Sequence, residues 1–183
     1  MPLPYHLLYS LNITPWHRTQ VHQHLVDTVA RISSSGYALD LGCGKGTDTK
    51  YLSLRGWDVV AIDMVPKAID NARKACHDAP RPPQIILGNV LDVADIVPHL
   101  PYRLIIDNGC LFSLKPSQQC HVIEAISSWC TSTALLLRFG LFTEEKLAKS
   151  VPESWKSVWV DAKPPRYRLP GDPVPTWSLL ELS

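Results

Sequence analysis

The run Ala38-Leu39-Asp40-Leu41-Gly42-Cys43-Gly44-Lys45-Gly46 holds the residues best suited to chemistry. Glycines at alternate positions let a backbone turn tightly and come close to a ligand. Alone, glycines after a strand read as a plain turn. Asp63, at the end of the next apolar run, adds a carboxylate that can accept hydrogen bonds from both hydroxyls of a ribose.

The charge pattern narrows the nucleotide. Dinucleotide binders use G-x-G-x-x-G, with a pyrophosphate facing the helix N-terminus. Here the spacing is G-x-G-x-G, and Asp40 precedes it. A carboxylate there repels phosphate and attracts an ammonium or a sulfonium. That favours S-adenosylmethionine, which has both cations and no phosphate, and disfavours NAD.

The elements that must position these residues alternate along the chain. Thr14-Pro15 reads as the start of a helix on which Val21, Leu25, Val29 and Ile32 recur at helical spacing. Strands are expected at Tyr37 to Leu41, Trp57 to Ile62, Gln84 to Leu87, Tyr102 to Asp107 and Thr133 to Phe139. Helices are expected at Thr47 to Arg55, behind Pro66, from about Pro116, and over Thr143 to Lys149. Nearly all-apolar strands separated by helices indicate a parallel sheet covered on both faces. Trp155 to Val160 and Thr176 to Leu182 flank a proline-rich stretch and read as an antiparallel pair at the sheet edge. The expected fold is α/β, a Rossmann-like, seven-stranded, mostly parallel sheet with helices on both faces and an antiparallel C-terminal strand pair. It forms a single domain over residues 1–183, with an N-terminal lid and helix (1–36), a cofactor-binding core (37–140) and the strand pair (141–183).

Composition excludes several classes. The chain has 183 residues, with 18 Lys plus Arg against 17 Asp plus Glu, a net charge of +1. No broad cationic surface is implied, so nucleic acid and anionic membranes lose weight as partners. No apolar run approaches a membrane span, and Met1 to Ser10 lacks the pattern of a secretory signal. The five cysteines are odd in number and have no redox or zinc clip spacing, which fits a reduced cytoplasmic protein, and no metal is expected. A monomer and a homodimer are both open. The histidines form no ligand pattern; His22 and His24, two apart, would lie on different sides of a helix.

The glycine segment resembles the motif of the class I S-adenosylmethionine-dependent methyltransferases, and the resemblance extends from about Tyr5 to the end. It implies that Gly42, Gly44 and Gly46, with Cys43 between them and Asp40 nearby, pack against the methionine part. Asp63 would hold the ribose, Met64 would lie on the adenine face, and Asn89 with Val90 would meet the adenine amine. Asn89 stands where the family often has an acidic residue, and reads equally as a turn residue. The entry segment Tyr5 to Trp16 is similar to that of small-molecule methyltransferases of the thiopurine, tellurite-resistance and halide types. There, Tyr9 and Trp16 would close the site, or else staple the first helix.

Leu104 to Leu114 resembles the fourth-strand segment of the same group, except that Phe112 stands where relatives often have histidine. Asp107-Asn108-Gly109-Cys110 is not the motif of nucleobase amine methyltransferases, so a small-molecule acceptor is implied. Asp107 is the catalytic candidate, as a base, an acceptor clamp or a cofactor contact; it reads also as a cap for the following loop. Neither Cys43 nor Cys110 is assigned a catalytic role. His17 could act from the lid, but reads as a solvated helix residue. The expected activity is in-line transfer of a methyl group to a small molecule, with S-adenosylhomocysteine as product. The alternatives are a protein that binds the cofactor without methyl transfer, as a regulatory or partner subunit, and a cofactor-assisted cyclisation in natural-product biosynthesis.

Overall fold

The computed structural model describes Leu11, residues 19–162 and residues 172–183. The expected lid residues Tyr9, Trp16 and His17, and the Thr14-Pro15 start, lie outside them.

Seven strands form one sheet: β1 (Tyr37–Leu41), β2 (Asp58–Asp63), β3 (Gln84–Leu87), β4 (Tyr102–Asn108), β5 (Cys130–Phe142), β6 (Trp155–Ala162) and β7 (Val174–Leu182). Their order is β3-β2-β1-β4-β5-β7-β6. The first five are parallel, and β7 runs antiparallel to β5 and to β6. The order reverses between β1 and β4. In an open parallel sheet the ligand crevice lies there, at the carboxyl ends of the strands.

Among the described residues, six α-helices accompany the sheet: α1 (Gln23–Arg31), α2 (Thr47–Leu54), α3 (Pro66–Ala75), α4 (Val93–Ile96), α5 (Pro116–Ser127) and α6 (Glu144–Ala148). Leu25 of α1 and Leu52 of α2 pack with Ala38, Val59, Leu104, Ile106 and Leu137 on one face. Val122, Ile123 and Ile126 of α5 and Val93 of α4 pack with Leu39, Leu41, Ile105 and Leu136 on the other. Alternate strand residues thus go to opposite cores, which is why the strands read as nearly continuous apolar runs.

The differences from expectation are local. The first described helix begins at Gln23, because His22 Nδ1 accepts the amide of His24 at 3.2 Å and caps it. His22 therefore stands outside the helix, and the separation inferred from helical spacing does not apply: the two imidazoles lie 4.9 Å apart. β5 starts at Cys130, earlier than expected, with a shift in pairing register between Tyr102 and Leu104. Trp155 and Trp177 are buried in the C-terminal pair, and Trp155 Nε1 donates to Ser127 Oγ of α5 at 2.8 Å. Among the described residues, no helix is long and apolar enough to cross a membrane.

Leu52 is fully buried and seats α2, the helix that continues the glycine turn, on the sheet. Leu52→Ala should lower the unfolding free energy by about 2–5 kcal/mol, measured by urea denaturation.

Candidate functional site

The glycine turn is bound to the neighbouring strand. The amides of Gly42 and Cys43 both donate to the carbonyl of Ile62, at 2.8 and 3.0 Å. Asp63 then clasps the turn: Oδ2 accepts the amide of Gly44 at 2.9 Å, and Oδ1 accepts that of Val65 at 2.8 Å. The amide of Gly46 closes on the carbonyl of Cys43 at 2.9 Å, and Gly46 becomes the N-cap of α2.

Two positions admit only glycine. Gly42 has φ +71°, and a Cβ there would fall 2.6 Å from Cys110 Cβ. Gly46 has φ +81°, and a Cβ there would fall 2.9 Å from Ala72 Cα on α3. Left-handed backbone and close approach coincide at both.

Three carboxylates surround this turn. Asp40, at 2% exposure, receives a hydrogen bond from Thr49 Oγ1 of α2. Its carboxyl is pushed up to about 7 by burial first, and then by the charges of Asp48 and Asp63, against the pull of the Thr49 bond. Asp48 sits in the first turn of α2, and its Oδ2 accepts Asn108 Nδ2 from the end of β4 at 2.8 Å. A cluster of carboxylates at a tight backbone turn suits a cation and opposes a phosphate. The thiols of Cys43 and Cys110 are pushed well up, mainly by burial and then by neighbouring carboxylates, so both stay protonated.

The remaining expected residues divide. Met64 follows Asp63 and is 47% exposed, an apolar side chain standing open beside the turn. Asn89 turns its Oδ1 to the amide of Leu91 at 3.0 Å, so the oxygen expected for adenine caps a 3-10 turn. Val90, the first residue of that turn, puts its side chain into the core. Asp107 is fully buried. Its Oδ1 accepts the amides of Cys110 and Leu111, at 3.0 and 2.8 Å, and its Oδ2 pairs with Arg138 Nε at 3.1 Å. Asp107 faces α5 while Asp40 and Asn108 face α2, so the strand pleat sends Asp107 away from the acidic cluster. The loop-capping alternative describes its contacts, and a general base at Asp107 finds no geometric support. Among the described residues no group of side chains could hold a metal ion.

Arg138 and Asp48 join these contacts without a motif to mark them. A lone arginine after Leu135-Leu136-Leu137 signals a buried partner, and an acid just inside the helix after Gly46 signals its first turn.

A family model described as tellurite resistance protein TehB matches residues 11–155. The chain belongs to the TehB family. The probable S-adenosyl-L-methionine-dependent methyltransferase TehB of Haemophilus influenzae is 46% identical over 48 residues, which are 26% of this chain and 16% of that relative. The match thus spans about one sixth of the curated relatives' length. The crystal structure of TehB from Haemophilus influenzae superposes with a TM-score of 0.72 at 19% identity, covering 91% of this chain and 63% of that one. N-methyltransferase NodS from Bradyrhizobium japonicum WM9, in complex with S-adenosyl-L-homocysteine, gives 0.71 at 16% identity, covering 94% and 90%. A structure described for conversion of a disulfide bond into a thioacetal group during echinomycin biosynthesis gives 0.77 at 17%, covering 100% and 93%. These likenesses establish the fold that the TehB assignment implies.

Two outcomes follow from the geometry. Gly46→Ala should cost about 2 kcal/mol or more in unfolding free energy, since left-handed strain adds to contact with α3. Asp40 in the unfolded chain loses its proton near its ordinary value of 3.8, whereas the folded chain keeps it to about 7. Its contribution to stability therefore falls as pH rises through that window. Asp40→Asn should raise the melting temperature at pH 8 and leave it nearly unchanged at pH 4.

Proposed function

We propose that the chain is an S-adenosylmethionine-dependent methyltransferase acting on a small-molecule acceptor. The observation that carries this reading is the cluster Asp40, Asp48 and Asp63 around a turn whose own amides are largely engaged. A nucleotide held there is attracted through positive charge rather than phosphate.

The site residues fit that cofactor. Gly42 to Gly46 would follow its methionine part closely, and Asp40 would sit near the cationic groups. Asp63 would receive the ribose hydroxyls, because a carboxylate accepts hydrogen bonds on both of its oxygens. Met64 would lie on the adenine, with Asn89 and Val90 beyond it. The cofactor supplies a methyl group already activated on a sulfonium. The protein's part is to align an acceptor in line with it and to exclude water.

The acceptor side is formed by the loop after β4, where Gly109 lies against Phe112 and Phe139. A net charge of +1 and the departure from the nucleobase-methylating motif favour a small acceptor over a nucleic acid. The five free cysteines suit a cytoplasmic setting.

Isothermal calorimetry with S-adenosylhomocysteine tests the reading. One molecule should bind per chain, and Asp63→Asn should weaken binding at least about tenfold. Absence of binding by both S-adenosylmethionine and its demethylated product would overturn it. Binding without any methylated product across an acceptor panel, read by mass, would keep the cofactor and remove the transfer.

A further inference from the structure

Four polar side chains, Asp107, Gln119, Arg138 and Ser150, are fully buried together beneath the carboxyl ends of β4 and β5. Arg138 is the hub. Its Nε donates to Asp107, its Nη1 to Ser150 Oγ at 3.1 Å, and its Nη2 to Gln119 Oε1 at 2.7 Å. A buried ion pair is a poor device for stability alone, because well-packed apolar residues can replace it without loss. What three directed bonds from one planar group do supply is orientation.

The oriented object is the segment from Cys110 to Leu114. Asp107 accepts the amides of Cys110 and Leu111. Gln119 Nε2 donates to the carbonyl of Leu114 at 2.9 Å, and Lys146 Nζ of α6 donates to that of Phe112 at 2.9 Å. Arg138 thus grips two of the three groups that hold this segment. The segment in turn leans on the glycine turn, since Cys110 Cβ and Sγ occupy the space a side chain at residue 42 would need.

The geometry points to Arg138 as a positioning residue of the site, which through Asp107 and Gln119 sets the acceptor-side segment against the cofactor turn. This rests on the reading of Gly42 to Gly46 as a cofactor turn. Arg138 is fully buried and bonded to Asp107, Gln119 and Ser150, so its effect is on placement. Lysine keeps the charge but has no planar fork, and it cannot satisfy Asp107, Gln119 and Ser150 at once.

The test compares the full-length wild type with Arg138→Lys and Gln119→Leu, using S-adenosylhomocysteine as probe. Trp155→Phe, in the core away from the site, is the control for stability loss alone. Both network variants should bind the probe about tenfold more weakly, the scale of losing one hydrogen bond to a charged group. Amide hydrogen exchange at Cys110 and Leu111 should accelerate by a similar factor. Trp155→Phe should bind within about twofold of wild type at a comparable loss of melting temperature. Arg138→Lys with unchanged affinity, or with unchanged exchange at both amides, overturns the assignment. If Arg138→Lys does not fold, the same criteria apply to Gln119→Leu. A wild type that fails to bind the probe removes the cofactor reading instead, and exchange at Cys110 and Leu111 then decides the positioning by itself.

Discussion

One carboxylate holds the carboxyl edge of the sheet together. Asp63 takes the amide of Gly44 on one oxygen and that of Val65 on the other, and so fastens the turn leaving β1 to the end of β2. Hydrogen bonds to an ionised acceptor are short and directional, and two of them fix both the carboxylate and the turn. From that fastening the rest follows outward. Gly46 is set against Ala72 of α3, and Gly42 against Cys110 of the segment after β4. Each contact leaves no room for a side chain, so the glycine spacing reflects three elements converging on one backbone turn.

This arrangement has an electrostatic cost. Burial of Asp40, and after it the charges of Asp48 and Asp63, leave Asp40 holding its proton to about 7. Perturbation by burial plus neighbouring charge, in a cleft at a topological switch point, marks a place adapted to a ligand. A cationic ligand relieves the repulsion, and the same charge excludes a pyrophosphate. On the opposite side of the pleat, Asp107 pairs with the buried Arg138 and accepts two amides, so its contacts are all within the protein fold. Two aspartates at the ends of neighbouring strands thus have different roles, set by which face they point to.

Most of the fold was legible, because parallel strands buried on both faces must be apolar and helices between them must show a 3.6-residue period. Leu39 and Ile105 go to one core, Ala38 and Ile106 to the other. The glycine turn between β1 and α2 was legible because it depends on residue types at fixed spacing. What did not show in the sequence depends on contacts between distant elements. Nothing local to Asp107 reveals Arg138, Gln119 and Ser150, which arrive from β5, α5 and the turn after α6. Asn89 reads the same whether its oxygen faces a ligand or caps Leu91. The early start of β5 at Cys130 came from a register shift against β4, which residue preferences do not encode.

The central claim is that negative charge at the glycine turn selects a cationic cofactor. It is tested most directly by calorimetry of S-adenosylmethionine near pH 7, in buffers of differing ionisation enthalpy. Asp40 then carries part of a proton, and arrival of a cation should expel it. The binding heat should therefore vary with the buffer, reporting a released fraction of a proton, and Asp40→Asn should remove that dependence. Binding heat independent of buffer in the wild type would contradict the account.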